Sequence, residues 1–162
     1  EGPSYTQVRI GPAGPVVMEV AARLGGGHDA ELVRAATGVD LAALAVSFAL
    51  GDPVALERGQ TPGHGSGGHV LGSDPAGGAA IAFLVAPVGR LEGPPDVGRA
   101  EAVDGIVWVR TYRRPGHRFG PLRRGADRAG AVLAVGTSRD EALARARRAT
   151  EAVRFPVDAD AP

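Results

Sequence analysis

A carboxylate and a guanidinium lie four residues apart in this sequence, directly before three consecutive glycines. Residues 14–40 read GPVVMEVAARLGGGHDAELVRAATGVD, with Glu19 and Arg23 ahead of the glycines. A carboxylate oxygen at a strand end is a suitable ligand for Mg²⁺. An arginine donates fixed hydrogen bonds to a phosphoryl group or developing oxyanion, and glycines let backbone amides approach an anion closely. The pattern indicates phosphate or carboxylate chemistry, although a surface ion pair beside an ordinary loop would show the same residues.

The elements that position these residues are predicted to be a hairpin and two helices. Alternating apolar residues on either side of a GPAG turn indicate two antiparallel strands. Aspartates and glycines at suitable spacing mark the beginnings and ends of the helices that follow. The predicted elements are strands at Tyr5–Ile10 and Pro15–Val20, a helix capped by Asp29 and ended by Gly38, and a helix capped by Asp40 and ended by Gly51.

The composition of the chain changes after residue 56. Residues 57–77 are dense in Gly, Pro, Ser and His, and they are predicted to form a linker or mobile loop. Apolar strands follow, and Ser138 with Glu141 has the spacing of a capping box at a helix start. Strands with separate helices favour the α+β class. The predicted divisions are residues 1–56, the linker 57–77, a second domain at 78–158 and a tail at 159–162.

Composition and charge argue against several classes of function. Lys+Arg and Asp+Glu are equal at 18 each, so no net field attracts nucleic acid or an anionic membrane, and neither partner is expected. The arginines between Arg110 and Arg128 are interpreted as a solvated strand edge or an anionic-substrate contact. Cysteine is absent, which fits a reducing compartment, and the predicted location is cytoplasmic. Lysine is absent too, so any lysine that contacts phosphates must come from another segment or chain.

Longer stretches of the sequence resemble a known family. YTQVRIGPAGPVVMEVAARLGGGHDAELVRAATGVDL is similar to the closing segment of the ATP-grasp carboxylate–amine ligases. AIAFLVAPVGRLEG and DRAGAVLAVGTSRDEALARARRA resemble the C-terminal subdomain of the L-amino-acid ligase branch. The resemblance implies the hairpin and helices that end an ATP-grasp domain, followed by a mainly antiparallel β-sheet subdomain with a C-terminal helix. It also implies ATP and Mg²⁺ as cofactors of the complete enzyme.

Positions that match the family's motif imply roles for individual residues. Glu19 matches a metal-binding glutamate, and Gln7 stands where a second, acidic metal ligand is usual. Ala21 stands where asparagine is usual. Arg23 matches the catalytic arginine that steadies the acyl phosphate and the tetrahedral intermediate. His28 is interpreted as a substrate contact or a helix cap. The substrate-binding residues, beside the carboxylate of the acceptor, are then Gly25, Gly26, Gly27 and His28.

The resemblance leaves more than one interpretation of function open. It implies an ATP-dependent ligase that joins a carboxylate to an amine through an acyl phosphate, giving an amide or dipeptide. The N-terminal part of that enzyme is the expected partner, so the chain alone is expected to be inactive. The alternative is a non-catalytic binding or assembly module derived from the ligase fold. A carboxylase or carbamoyl-transfer relative would differ only in substrate, and an exposed sheet edge near Phe155 offers an interface for a homodimer.

Overall fold

The computed structural model describes residues 2–51 and 77–159. The chain divides into two compact units, Glu1–Pro75 and Ala76–Pro162, called here the first and second units. Most of the predicted linker at 57–77 lies outside the described residues, as do residues 52–56 and 160–162. The predicted domain boundaries therefore remain predictions.

The first unit consists of a hairpin and two helices, as predicted. Its elements are β1 (Tyr5–Gly11), β2 (Gly14–Ala21), α1 (Asp29–Thr37) and α2 (Leu41–Leu50). The two strands pair antiparallel, and Gly14 takes a φ of 104° at the turn between them. Gly38 and Gly51 end the two helices in the left-handed conformation, which glycine adopts without a steric cost.

A β-bulge interrupts the hairpin and decides which side chains share a face. Val8 lies opposite Val17, but the next pair is Gln7 opposite Glu19, so Met18 has no partner on β1. Without this extra residue Glu19 would project from the other face, because side chains alternate along a strand. The bulge therefore places Gln7 and Glu19 on the same face of the hairpin.

The opposite face of the hairpin is apolar and exposed. It is formed by side chains that alternate away from Gln7 and Glu19. Between 47% and 83% of the surface of each large side chain there is accessible. The residues concerned are Val8, Ile10, Val17 and Val20. The described residues of the first unit thus leave this face of the hairpin without a covering layer.

The N-cap of α2 is the predicted residue, whereas the N-cap of α1 is not. Asp40 accepts hydrogen bonds from the backbone N–H groups of Ala42 and Ala43, both at 3.0 Å. The N-cap of α1 is His28 rather than the predicted Asp29, because Asp29 is already helical. His28 has a φ of 72°, which non-glycine residues rarely adopt, and its side chain makes no capping bond.

The second unit contains two antiparallel sheets and a long helix. Its elements are β3 (Gly78–Leu84), β4 (Gly89–Leu91), α3 (Gly98–Glu101), β5 (Ile106–Thr111), β6 (Arg118–Phe119), β7 (Gly130–Gly136), α4 (Arg139–Ala152) and β8 (Val157–Asp158). The larger sheet has the order β3-β7-β5 and the smaller one β6-β4-β8. Antiparallel sheets with separate helices confirm the predicted α+β class.

Small side chains let α4 pack closely on the larger sheet. The helix contributes three fully buried alanines to the contact: Ala142, Ala146 and Ala149. On β3, a Cβ added to Gly78 would overlap the backbone of Ser138 and Arg139 at the helix start. Because backbone atoms cannot move aside as a side chain can, this position requires glycine.

One predicted detail of the second unit needs correction. Ser138 accepts a hydrogen bond from the Glu141 N–H at 3.2 Å, as predicted. The Glu141 carboxylate, however, binds N and Oγ1 of Thr137, both at 2.7 Å, rather than completing a capping box. In β5 a bulge interrupts the alternation of side chains along the strand, so that Ile106 packs against the core while Val107 is exposed.

No single helix among residues 2–51 and 77–159 is long and apolar enough to cross a membrane. Only α1 and α2 taken together meet the length and composition criteria, and they bend by 107° at their junction.

Candidate functional site

Gln7 and Glu19 face each other across the hairpin. They are a directly opposed pair in the register of β1 and β2. Directly opposed side chains in an antiparallel pair have Cβ atoms about 4.5–5.5 Å apart. Tyr5 and Ala21 form the neighbouring pair on the same face. The structure thus brings the two predicted metal-binding residues together, one with a charged oxygen donor and one with a neutral one.

Arg23 continues this face beyond the end of β2. Its Nη2 donates to Glu19 Oε1 at 3.2 Å, and its Nη1 donates to the carbonyl oxygen of Leu24 at 3.0 Å. The guanidinium also lies 5.7 Å from the centroid of the Tyr5 ring. The Arg23 and Glu19 side chains are 57% and 48% exposed, so water screens their ion pair. Either group can therefore exchange its partner for a ligand at a small cost in free energy.

The pair fits a Mg²⁺ ion as part of a larger ligand set. Mg²⁺ prefers oxygen and is usually held by one or two carboxylates together with phosphate groups of the substrate. Glu19 offers the carboxylate and Gln7 a neutral carbonyl oxygen. In the described ranges no three or more His, Cys, Asp or Glu residues are placed to hold a metal. The remaining ligands would have to come from a nucleotide or from outside the described residues.

The structure explains two of the three glycines that follow Arg23, each by a different cause. A Cβ on Gly25 would overlap Asp29 Oδ2 and lie 2.9 Å from Tyr5 Cδ2, so packing disfavours it. Gly27 has a φ of 65°, which favours glycine on backbone grounds. A Cβ on Gly26 would meet no atom within 4 Å, and its φ is not in the left-handed region. Gly26 is therefore the glycine whose bare backbone has no structural explanation in the described residues.

His28 is paired within the first turn of α1. Its Nδ1 makes a hydrogen bond with Glu31 Oε2, and both side chains are partly exposed. A carboxylate partner on one ring nitrogen fixes the orientation of an imidazole. The predicted contact of His28 with a substrate stays a prediction.

Two residues beside the site were not predicted to be functional. Tyr5 contacts the Arg23 guanidinium and also packs against Gly25, and the Asp29 side chain packs against Gly25 from α1. The sequence signals at these positions are those of an ordinary strand residue and a helix-start residue. Neither signal reveals that the glycine loop folds back onto β1.

Two arginines of the basic stretch between Arg110 and Arg128 stack on aromatic rings of the second unit. The Arg110 guanidinium lies 4.1 Å from the centroid of the Trp108 ring, and Arg128 lies 3.5 Å from that of Phe83. Such stacking holds the cation by the negative face of the ring. Asp127, the neighbour of Arg128 in the sequence, pairs with Arg124 at 3.3 Å. These contacts support a structural interpretation of the arginines involved.

A shallow cavity of about 370 Å³ also opens on the second unit, where α3 and α4 lie close. Three of its six lining residues are arginines and two are acids: Asp96, Arg99, Arg148, Glu151, Ala152 and Arg154. No motif in the sequence marks this cavity, and its opposite charges largely balance.

Comparison with solved structures identifies the fold. Phosphoribosylglycinamide synthetase from Anaerococcus prevotii is 12% identical, with a TM-score of 0.74 over 96% of this chain and 37% of its own. L-Amino acid ligase from Bacillus licheniformis is 22% identical, with a TM-score of 0.72 over 98% and 36%. N5-Carboxyaminoimidazole ribonucleotide synthetase from Thermotoga maritima is 18% identical, with a TM-score of 0.60 over 94% and 36%. The chain has the fold of the C-terminal part of an ATP-grasp ligase.

Sequence comparison gives one match to a family model, within the second unit. Residues 82–158 match the family model L-amino acid ligase C-terminal domain 2. Uncharacterized protein y4rH of Sinorhizobium fredii (strain NBRC 101917 / NGR234) is 31% identical over 158 residues, which is 96% of this chain and 30% of that protein. The predicted resemblance to the C-terminal portion of an ATP-grasp ligase of the L-amino-acid ligase branch is confirmed. The chain spans about a third of the length of the proteins it matches.

Proposed function

We propose that this chain is the C-terminal portion of an ATP- and Mg²⁺-dependent ligase that joins a carboxylate to an amine through an acyl phosphate. The observation that carries the proposal is the shared hairpin face, on which Gln7 lies opposite Glu19 and Arg23 follows beside the glycine loop. These are the groups that phosphate and acyl chemistry requires, and the chain has the ligase fold. The reaction takes place in the cytoplasm.

The complete reaction has two steps. A carboxylate oxygen attacks the terminal phosphorus of ATP, which gives an acyl phosphate and ADP. The amine nitrogen then attacks the acyl carbon, the bond from carbon to the phosphate oxygen breaks, and phosphate leaves. Mg²⁺, when bound, neutralises phosphate charge. Glu19 and Gln7 would hold it, and Arg23 donates hydrogen bonds to the oxygen on which negative charge develops.

The proposal requires an upstream portion of the same enzyme. No lysine in this chain is available to contact phosphates, and the matching proteins are about three times as long. The apolar hairpin face of Val8, Ile10, Val17 and Val20 supports the same requirement, because such a surface is normally buried against another layer. We expect the isolated chain to show no ATP turnover, and turnover by the purified chain would contradict this point.

Release of ADP by the chain joined to an upstream portion tests the proposal. ADP is measured with ATP, Mg²⁺ and a panel of amino acids, in the wild type and in Glu19→Ala and Arg23→Ala. Removing a donor to a developing oxyanion usually lowers the rate by about 10²- to 10³-fold, and we expect this for Arg23→Ala. Arg9→Ala is the control, because Arg9 is an exposed cation on the same hairpin face. If Mg·ATP does not bind and no ADP is released, the chain is a non-catalytic module instead.

A further inference from the structure

The cavity on the second unit is lined by arginines from two different helices. Arg99 belongs to α3 and Arg148 to α4. Each directly precedes an alanine that is fully buried in the core, Ala100 on α3 and Ala149 on α4. Packing therefore fixes the backbone at both positions, while the two arginines themselves are exposed. Across the residues that the structure describes, neither guanidinium makes a hydrogen bond or an ion pair.

A third arginine is held in place just beyond the end of α4. The backbones of Arg154 and Asp96 pair through two hydrogen bonds, at 2.8 and 3.0 Å. The Nη1 group of Arg154 donates to the carbonyl oxygens of Glu151 at 2.5 Å and Val153 at 3.2 Å. It thereby offsets the partial negative charge at the C-terminal end of the helix. Within the described ranges Nε and Nη2 of Arg154 have no acceptor, so these groups can donate to a ligand.

The positive charge of the chain is concentrated on the second unit. This unit holds 14 arginines and 10 acidic residues, whereas the first unit holds four arginines and eight acidic residues. The net charge of zero thus combines an excess of four positive charges on one unit with four negative charges on the other. The cavity follows this trend, with three arginines and two acids in its lining. Such a surplus attracts an anionic ligand to the second unit.

We propose that this cavity binds a small phosphate ester that carries hydroxyl groups, such as a sugar phosphate. The planar guanidinium donates two parallel N–H groups, which match the spacing of phosphate oxygens. The carboxylates of Asp96 and Glu151 only accept hydrogen bonds, so they suit hydroxyl groups rather than a second anion. None of the described residues that line the cavity has an aromatic ring on which a nucleobase could stack, and a volume of about 370 Å³ is enough for a small ligand.

This binding site is independent of the proposed function, because all six of its lining residues belong to the second unit. Isothermal titration calorimetry of the complete protein, meaning this chain joined to its upstream portion, tests it in the absence of ATP. The probes are glucose 6-phosphate, inorganic phosphate and glucose. Glucose 6-phosphate should bind more tightly than inorganic phosphate, and glucose should not bind measurably.

Arg148→Ala should weaken the binding of glucose 6-phosphate about 10- to 100-fold, which is the usual effect of losing one hydrogen bond to a charged group. Arg148→Lys keeps the charge without the planar guanidinium and should lose less affinity. Arg147→Ala is the matched control, because Arg147 is the adjacent exposed residue of α4 and does not line the cavity. Both alanine variants remove one positive charge from the same helix. Equal weakening in both would overturn the inference, because it would indicate only a general attraction to a basic surface.

Two further variants locate the ligand. Arg23→Ala should leave the dissociation constant of glucose 6-phosphate unchanged; if it abolishes binding, the phosphate occupies the hairpin face and the inference is wrong. Glu151→Ala should reduce the preference for glucose 6-phosphate over inorganic phosphate, because it removes an acceptor for hydroxyl groups. An unchanged preference would refute the hydroxyl contact, and no binding of glucose 6-phosphate to the wild type would overturn the whole inference. None of these measurements depends on ADP release, so failure of the proposed function is detected separately.

Discussion

Replacing Gly25 and Gly26 by alanine, one at a time, should change the stability of the first unit in opposite directions. The two substitutions add the same methyl group to adjacent residues of one loop. At Gly25 the added Cβ would overlap Asp29 Oδ2 and approach Tyr5 Cδ2 to 2.9 Å and Asp29 Cβ to 3.0 Å. At Gly26 it would meet no atom within 4 Å.

The magnitudes follow from these surroundings. Overpacking typically costs about 1–3 kcal/mol. We expect the lower end of that range for Gly25→Ala, because the Asp29 side chain can turn aside. Gly26 does not adopt a left-handed backbone conformation, so alanine fits there without strain. Alanine should stabilise the fold by about 0.4–1 kcal/mol, because it reduces the conformational entropy of the unfolded chain. The difference between the two variants is therefore about 1.5–2 kcal/mol on these magnitudes.

Hydrogen–deuterium exchange over residues 5–37 measures this difference locally. Exchange should be faster than wild type in Gly25→Ala and equal or slower in Gly26→Ala. The activity of the complete protein provides the second measurement. Gly26→Ala should weaken acceptor binding even though its fold is intact, because the methyl group occupies space that the substrate needs. Equal exchange in both variants would refute the packing argument, and normal acceptor binding by Gly26→Ala would refute the predicted substrate contact of Gly26.

Two further predictions concern Tyr5 and Glu141. Losing the Tyr5 contact with Arg23 in Tyr5→Leu should lower kcat of the complete protein roughly 2- to 5-fold, and Tyr5→Phe should retain it; equal losses would exclude a role for the ring. Hydrogen bonds from the Thr137 hydroxyl, then from its backbone N–H, lower the pKa of Glu141 below its usual 4.5. The stability that these hydrogen bonds give to the folded state is therefore fully present above pH 4.5. It is lost as the pH falls through the lowered pKa of Glu141. Urea unfolding followed by Trp108 fluorescence should show this acid dependence in the wild type and less of it in Glu141→Gln.

The sequence by itself determined the local elements and the chemical type of the site. The hairpin, both helix ends at Gly38 and Gly51, and the cap at Asp40 follow from turn chemistry and side-chain hydrogen bonding within a few residues. The α+β class follows in the same way from the order of the elements. The spacing of Glu19 and Arg23 before a glycine loop also indicated phosphate chemistry, because these residue types carry their donors and acceptors wherever they lie.

Only the tertiary structure decided which of these residues meet. The bulge at Met18 places Glu19 opposite Gln7, and alternation along a strand gives no sign of where an extra residue enters. The contact of Tyr5 with Arg23 joins the start of β1 to the residues that follow β2, which lie together at the open end of the hairpin. The packing of Asp29 on Gly25 depends on the path of the loop rather than on either residue type. Such contacts depend on the shape of the surroundings, which local sequence signals do not carry.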